Sequence, residues 1–262
     1  MPALIDINHL YDLSGKVALV TGGAEGMGAE TCRFLASAGA TVAVADINLP
    51  WAENTANEIV AAGGSARAYQ ADLAQEQSVV DLVKGVRADN GRLDILVNVA
   101  GLQDREFLEE TSVALWDKLH HVNLRGPFLT IREAAKIMRA DGNGGRIVNV
   151  SSMGSVHPIF EGLVAYNASK SGVNGLTRNA AYELAEHGIT VNAVLPGNTT
   201  TAGQARSPGP AIDISKLTKL KPPLGRTGKP SDIAGAILFL VSPISEWMTG
   251  QTLTIDGGHL NS

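Results

Sequence analysis

The chain of 262 residues is 44% hydrophobic and 18% charged, and its formal net charge is -5. This acidic balance, without any basic run, argues against a nucleic-acid-binding protein. The single cysteine, Cys32, excludes an intrachain disulfide and a cluster of thiolate metal ligands. Because neither a signal peptide nor an apolar run of membrane length is recognisable, we expect a cytoplasmic protein with no membrane partner.

Short β-branched runs alternate with longer helical patterns along the whole chain. The runs predict buried strands at residues 17–21, 41–45, 95–98, 146–150, 190–195 and 253–255. The helical patterns cover residues 26–38, 51–62, 75–90, 112–139, 164–187 and 231–241. Such alternation predicts an α/β fold in which a doubly wound parallel sheet of about seven strands carries helices on both faces.

Two segments depart from this regular pattern. Gly126-Pro127 interrupts the helical pattern of residues 112–139 and should kink that helix. The stretch 197–223 is rich in Pro, Gly, Thr and Ser, and it is the longest part of the chain without periodicity. A long loop in a compact domain is usually a lid or a binding loop.

A glycine-rich turn joins the first predicted strand to the first helix, from Thr21 to Gly28. Its glycines permit a tight turn and allow backbone N–H groups to approach a pyrophosphate at the helix N-terminus. Asp46 ends the second strand, where a carboxylate can accept both ribose hydroxyls of an adenosine and repel a 2′-phosphate. Because Glu25 and Ile47 stand where Arg or Lys would favour NADP, we predict a Rossmann-type site that prefers NAD. The alternative is a plain strand-terminal turn with a solvent-facing aspartate.

Tyr166 and Lys170 lie four residues apart in a predicted helix, so their side chains share one face. A free tyrosine has a pKa of about 10, and a neighbouring ammonium favours the phenolate and lowers that pKa. An isolated pair of this kind is common on solvated helices. With Asn123 and Ser152 upstream, however, the pair predicts a proton-transfer centre.

In its motifs, the chain resembles the classical short-chain dehydrogenase/reductase family over residues 13–258. The matching motifs are Thr21-Gly22-x-x-x-Gly26-x-Gly28, Asp72-Leu73, Asn98-Val99-Ala100-Gly101, Asn123, Ser152, Tyr166-x-x-x-Lys170, Pro196-Gly197 with Thr201, and Asp256-Gly257-Gly258. Each motif alone is weak, but this order and spacing are specific to the family.

The resemblance implies catalytic roles for Asn123, Ser152, Tyr166 and Lys170. Lys170 would hold the nicotinamide ribose and acidify Tyr166, and Asn123 would secure a water in a proton relay through Lys170. During oxidation, the Tyr166 phenolate would take the hydroxyl proton while a hydride passes to the nicotinamide, and Ser152 would donate a hydrogen bond to the substrate oxygen.

The resemblance also implies a set of residues that bind the dinucleotide. Asp72 would bind the adenine amine, Asn98 would line the cofactor cleft and Thr201 would contact the carboxamide. The expected cofactor site comprises Gly22, Glu25, Gly26, Met27, Gly28, Asp46, Ile47, Asp72, Leu73, Asn98, Ala100, Gly101, Tyr166, Lys170, Pro196, Gly197, Thr199 and Thr201.

Two positions depart from the family pattern. Val99 replaces a second asparagine, so the local hydrogen bonds must be made differently, and we expect little catalytic effect. The interval from Ser152 to Tyr166 is one residue longer than usual, which makes Ser151 a rival for the catalytic serine. We favour Ser152 because the family places its serine just after the position of Ser151.

The loops 101–110, 153–163 and 197–222 should form the substrate pocket, with Gln103, Met153, His157 and Phe160 as its candidate contacts. This mixture predicts a mid-sized pocket with polar and apolar walls, compatible with sugars, polyols, cyclic alcohols or hydroxysteroids. His157 could bind a polar substrate group, but we favour its interpretation as a plain loop histidine.

The histidines lack the spacing of metal ligands, so we predict no metal site. Small residues on one face of the Tyr166 helix could instead pair helices across a subunit interface, namely Ala168, Ser171, Gly172 and Gly175. By resemblance this predicts a homotetramer or dimer, and packing inside one subunit is the alternative.

The sequence therefore predicts an NAD(H)-dependent oxidoreductase that interconverts a secondary alcohol and a ketone. We expect one dinucleotide-binding and catalytic domain over residues 1–262, with an N-terminal extension at 1–14 and a substrate loop at 197–223. One alternative is an NADPH-dependent 3-oxoacyl-acyl-carrier-protein reductase, which Glu25 and Asp46 disfavour. Another is a catalytically inactive nucleotide-sensing module, which would be expected to lose Tyr166 or Lys170.

Overall fold

A computed structural model describes residues 6–158, 160–210 and 222–261, apart from the side chains of Gln204 and Ala205. Within this part of the chain, one parallel sheet has the strand order β3-β2-β1-β4-β5-β6-β7. The strands are β1 Val17–Thr21, β2 Thr41–Asp46, β3 Ser65–Gln70, β4 Ile95–Asn98, β5 Gly145–Val150, β6 Ile189–Pro196 and β7 Thr252–Ile255. The predicted doubly wound parallel sheet is confirmed.

Helices cover both faces of the sheet. They are α1 Gly26–Ser37, α2 Leu49–Ala61, α3 Glu76–Asn90, α4 Val113–His120, α5 Gly126–Asp141, α6 Val164–Leu184, α7 Ala202–Arg206 and α8 Pro230–Val241. Apolar residues of α3, α5 and α6 pack on one face, and those of α1, α2 and α8 pack on the other. Successive β1 residues alternate between the two cores, which explains the unbroken apolar runs of the central strands.

The strand β3 was missing from the strand positions predicted by the sequence. It lies at the edge of the sheet and pairs only with β2. Its side chains are exposed or half-buried, and it contains Arg67 and Gln70 rather than an apolar run. An edge strand of this kind gives a weak hydrophobic signal, so its place could not be read from the apolar pattern.

The predicted helix over 112–139 is broken into α4, a π-helical segment and α5. The π-helical segment is His121–Arg125, and Pro127 follows in the first turn of α5. Proline is tolerated there because the first N–H groups of a helix have no partner within the helix. The interruption therefore precedes Gly126-Pro127 and carries Asn123 into the interior.

The predicted substrate loop at 197–223 contains the short helix α7, while residues 211–221 lie outside the described part of the chain. The first five residues of the predicted N-terminal extension lie outside it as well. Cys32 is completely buried on α1. Among the described helices, none is both long and apolar enough to cross a membrane.

Candidate active site

A cleft of about 640 Å³ opens at the carboxyl ends of the central strands, where the strand order reverses between β1 and β4. Ligands of doubly wound sheets bind at such a reversal. The cleft is lined by most of the cofactor residues that the sequence predicts: Gly22, Glu25, Gly26, Met27, Gly28, Asp46, Ile47, Asp72, Leu73, Ala100, Gly101, Tyr166, Lys170 and Thr201.

The glycine-rich turn forms the floor of this cleft and has no room for side chains. Gly22 has a φ of +68°, and a Cβ there would lie 2.7 Å from the backbone of Ala100. A Cβ on Gly28 would lie 1.9 Å from the carbonyl oxygen of Gly22. A bare backbone at the N-terminus of a twelve-residue helix suits the diphosphate of a dinucleotide, so these residues fit a nicotinamide cofactor.

Asp46 is held against this turn at the end of β2. Its Oδ2 accepts a hydrogen bond from the Ala24 N–H at 3.2 Å, and its Oδ1 accepts one from the Asn48 N–H at 3.0 Å. Each carboxylate oxygen has two acceptor sites, so both oxygens keep acceptor capacity toward ribose hydroxyls in the cleft. Asp72, which also lines the cleft, accepts a hydrogen bond from the Ala74 N–H at 2.9 Å.

A cation that sequence reasoning missed lines the same cleft as Asp46. Arg206, at the end of α7, forms a hydrogen-bonded ion pair with Glu25 and lies 5.0 Å from the centre of the Trp51 ring. All three side chains line the cleft. The sequence-based interpretation of the pocket considered Glu25 and Ile47 and did not include Arg206. No spacing signal connects two residues that are 181 positions apart.

The side chain of Asn98 does not line the cleft, contrary to the expectation from the resemblance. It is buried, donates to Asn149 Oδ1 at 2.9 Å and accepts from Thr130 Oγ at 2.7 Å. Asn149 donates in turn to Thr177 at 2.9 Å, so the chain of bonds joins β4, β5, α5 and α6. Asn98 thus supports the strands beneath the cleft.

Lys170 is buried on α6, and its side chain reaches the end of β5. Its Nζ donates to the Val150 carbonyl oxygen at 2.8 Å and lies 5.9 Å from the centre of the Tyr166 ring. Burial lowers the pKa of Lys170 to about 8, because the charged form loses its hydration. The predicted sharing of one helix face is confirmed.

The pKa of Tyr166 differs from the sequence-based expectation. Burial raises this pKa above its ordinary value, and a hydrogen bond with Ser152 acts against the rise without cancelling it. The rise by burial thus outweighs the lowering expected from Lys170, whose ammonium is hydrogen-bonded to the Val150 carbonyl oxygen. Periodicity brings the two residues together but does not fix where the ammonium points.

The two neighbouring serines have different surroundings. Ser152 Oγ accepts from the Gly154 N–H at 3.1 Å and is hydrogen-bonded to Tyr166. Ser151 is buried, and its Oγ donates to the Lys170 carbonyl oxygen at 3.0 Å. Of the two serines, Ser152 is therefore the one that is hydrogen-bonded to the tyrosine.

Asn123 is completely buried on the π-helical segment and is bonded through both amide atoms. Its Oδ1 accepts from the Leu102 N–H at 2.8 Å, and its Nδ2 donates to the Leu102 carbonyl at 2.9 Å and to Ser169 Oγ at 3.1 Å. Gly101 lies between Asn123 and Lys170, because a Cβ there would be 3.3 Å from Asn123 Oδ1 and 3.2 Å from Lys170 Nζ. The two predicted relay residues therefore flank one glycine.

A second cavity, of about 170 Å³, adjoins the cleft on the other side of Tyr166. Of the predicted substrate contacts, Gln103, Met153 and Phe160 line it, whereas His157 is exposed and lies outside its wall. Pro196, Gly197 and Thr199 line this cavity, not the larger cleft in which the resemblance placed them, and Thr201 lines both. Wall residues that sequence reasoning missed are Asn167, Asn198 and His259.

The single histidine of α4 has an ordinary structural role. The His120 ring stacks on Trp116 and is hydrogen-bonded to the Trp116 carbonyl at 2.8 Å. Across residues 6–158, 160–210 and 222–261, no three His, Cys, Asp or Glu side chains group as metal ligands.

Comparison with known proteins gives a family match along most of the chain. Residues 22–259 match the family model described as enoyl-(acyl carrier protein) reductase. A 2-dehydro-3-deoxy-D-gluconate 5-dehydrogenase of Escherichia coli is 38% identical over 257 residues, which cover 95% of this chain and 97% of that protein. A 3-oxoacyl-[acyl-carrier-protein] reductase of Thermotoga maritima is 38% identical over 94% of this chain and 98% of its own.

A solved structure agrees with the fold. It comes from Beutenbergia cavernae, is described as a putative NAD(P)-dependent gluconate 5-dehydrogenase and holds NADP at low occupancy. Its identity is 36%, its TM-score is 0.89, and the match covers 97% of this chain and all of that chain. The chain thus belongs to the short-chain dehydrogenase/reductase family, whose members are oxidoreductases that act on hydroxyl and keto groups with a nicotinamide cofactor.

Proposed function

We propose that the protein is an NAD(H)-dependent oxidoreductase that interconverts a secondary alcohol and a ketone, with Tyr166 as its acid and base. The observation that carries this proposal is the position of Tyr166. Its side chain lines both the large cleft with the glycine-rich floor and the small cavity with Ser152. A substrate in the small cavity would therefore meet the tyrosine at the boundary with the cofactor.

The roles of the catalytic residues follow from this position. The bound nicotinamide supplies the hydride acceptor for oxidation, or the hydride donor for reduction. Tyr166 in its phenolate form, which burial disfavours and the neighbouring charge of Lys170 would favour, takes the proton of the substrate hydroxyl. It returns a proton to the oxygen during reduction. Ser152 donates a hydrogen bond to the same oxygen and stabilises the charge that develops there.

Lys170 and Asn123 would connect Tyr166 to the proton supply. With a pKa of about 8, Lys170 can exchange a proton near neutral pH. Asn123 would fix the water of this relay, and its bonds to Leu102 and Ser169 hold its amide in one orientation. The remaining cleft residues would bind the dinucleotide, with Asp72 at the adenine and Thr201 at the carboxamide.

The preference for NAD over NADP rests mainly on Asp46. Its carboxylate is fixed in the cleft by two backbone N–H groups, where it would repel a 2′-phosphate. Glu25 adds less repulsion than the sequence suggested, because Arg206 pairs with it. The Beutenbergia cavernae relative binds NADP, so this preference is a property of the present chain that must be measured.

Two other functions remain to be weighed. Similarity to the Thermotoga maritima protein supports reduction of a 3-oxoacyl thioester as the function of this chain, which would use NADPH. Similarity to the Escherichia coli protein instead supports a keto sugar acid as its substrate. The cavity of about 170 Å³, with Gln103, Asn167 and Asn198 beside Met153 and Phe160, suits a compact polar alcohol better than a long acyl chain. An inactive nucleotide sensor is disfavoured by the joint presence of Tyr166, Lys170 and Ser152.

We further propose that residues 1–262 act as one catalytic domain, in a cytoplasmic homotetramer or dimer. The small-residue face of α6 is partly used inside the chain, because a Cβ on Gly172 would lie 2.7 Å from Leu124. Around Gly175, in contrast, no described atom would lie within 4 Å of a Cβ. Sedimentation of the purified protein would measure the assembly.

Absorbance at 340 nm tests the activity and its cofactor in one experiment. The protein is mixed with NAD or NADP and a panel of sugar acids, polyols, cyclic alcohols, hydroxysteroids and 3-hydroxyacyl thioesters. We expect reduction of NAD with a compact polar secondary alcohol and a smaller rate with NADP. Preferential use of NADP with a thioester would support the reductase, and dinucleotide binding without turnover of any substrate would support the sensor.

A further inference from the structure

Arg206 is the residue by which α7 reaches across the dinucleotide cleft. The helix follows Thr201, which lines both cavities, and ends at Arg206. From there the guanidinium meets Glu25 of the glycine-rich turn and the ring of Trp51 on α2. One side chain therefore joins two walls of the cleft.

The segment that contains α7 is also fixed on its other side. The Pro208 carbonyl accepts a hydrogen bond from the Arg105 N–H at 3.0 Å, and Arg105 lies in the loop after β4. At Gly203, a Cβ would lie 3.2 Å from Glu25 Oε1, so α7 lies directly against the glutamate. The segment thus forms a roof that is anchored to both sides of the cleft.

The contacts of Arg206 are of the kind that can open and close. The side chains of Arg206 and Glu25 are 50% and 35% exposed, and pairs with such exposure are weak and sensitive to salt. A cation–π contact at an exposed site has a similar strength. Together they are too weak to determine the fold but strong enough to slow an opening motion about tenfold.

We propose that Arg206, held by Glu25 and Trp51, is a latch that closes α7 over the bound dinucleotide and slows its release. The proposal rests on the proposed function, since it requires a dinucleotide in the cleft. A ligand beneath the bridge leaves only after Arg206 separates from Glu25. The latch therefore acts on the dissociation rate constant of the cofactor.

The release of NADH measures the latch without any turnover. NADH fluorescence is followed in a stopped-flow instrument after excess NAD displaces it from wild type, Arg206→Met, Glu25→Gln and the double variant. We expect about tenfold faster release from Arg206→Met, and little further change when Arg206→Met is added to Glu25→Gln, because both act through one contact. High salt should reduce the difference between wild type and Arg206→Met.

Arg226→Met is the matched control. Arg226 forms an ion pair with Asp232 outside the cleft, and these side chains are 51% and 31% exposed. Arg226→Met therefore removes an ion pair of similar exposure to that of Arg206 and Glu25. Release from this variant should equal that from wild type. Equal acceleration in both arginine variants would trace the effect to general destabilisation and overturn the latch.

Other outcomes separate the latch from the proposed function. Equal release from wild type and Arg206→Met would overturn the latch and leave the dinucleotide site intact. If Arg206→Met slowed association equally with and without Glu25→Gln, Arg206 would attract the anionic ligand directly, and the latch would again be wrong. A wild-type protein that binds neither NADH nor NADPH would overturn the proposed function itself.

Discussion

The two ends of the dinucleotide cleft are held by different kinds of contact. At the tyrosine end, Lys170 is 3% exposed and bonded to a strand carbonyl, and Asn123 is completely buried and bonded to backbone on both amide atoms. At the end that contains Asp46, the glycine-rich turn meets α7 through the partly exposed pair of Glu25 and Arg206.

This difference suggests that the two ends of the cleft have different functions. Buried side chains that are bonded to backbone keep one geometry, which proton transfer requires. Partly exposed ion pairs break easily and respond to salt, which suits the entry and release of a ligand. Changes at the tyrosine end should therefore alter turnover more than binding, and changes at the other end should do the reverse.

The largest effect should follow from Tyr166→Phe. The variant loses the phenolic hydroxyl that is proposed to exchange the proton at the boundary of the two cavities, so turnover should fall by about 1000-fold. NADH affinity, from a fluorescence titration, should stay close to that of wild type because the ring remains. Retained activity in this variant would remove Tyr166 from its proposed role.

Ser152→Ala should lower turnover by about 100-fold, because a hydrogen bond to the substrate oxygen is lost. Ser151→Ala is its matched control. It removes a buried bond to the Lys170 carbonyl and should mainly lower the free energy of unfolding, by about 1 kcal/mol. Steady-state rates and urea unfolding of both variants distinguish the two serines, and the reverse pattern would make Ser151 the catalytic one.

Asp46→Ala should relax the preference for NAD about tenfold, since the charge that repels a 2′-phosphate is removed. The measured quantity is the ratio of kcat/KM with NAD to kcat/KM with NADP, for one alcohol. Asp46→Asn controls for size, because it keeps the shape without the charge. An unchanged ratio in both variants would show that cofactor choice lies elsewhere.

Lys170→Met should change how stability depends on pH. In the folded protein the pKa of Lys170 is lowered to about 8 from 10.5, so between these values the unfolded chain binds more protons. The free energy of unfolding of wild type should therefore rise relative to the variant as pH increases, by about 1 kcal/mol per pH unit in this window. Parallel stability curves from urea unfolding would contradict the burial of a charged Lys170.

The fold was largely predictable because the central strands are buried on both faces and read as apolar runs. Strand β3 was missed for the opposite reason, since an exposed edge strand needs no such run. The π-helical segment around Asn123 also escaped prediction, because residues 112–139 carry a helical period throughout.

The candidate site was predictable where residues are neighbours along one element and unpredictable where tertiary packing decides. The spacing of Tyr166 and Lys170 identified their shared face, but the Val150 carbonyl that binds the ammonium lies on a strand. Likewise His157 was a candidate because of its place in a loop, whereas the folded chain brings His259 to the small cavity. The contact between Arg206 and Glu25 could not be predicted from any sequence pattern, because the two residues are 181 positions apart.

Transfer of deuterium tests the central claim most directly. With NAD and the preferred alcohol labelled at its carbinol carbon, each turnover should place one deuterium in the NADH formed, and the rate should fall relative to unlabelled alcohol. Mass spectrometry of the NADH reads the transfer. NADH that carries no deuterium, formed at an unchanged rate, would contradict direct hydride transfer beside Tyr166.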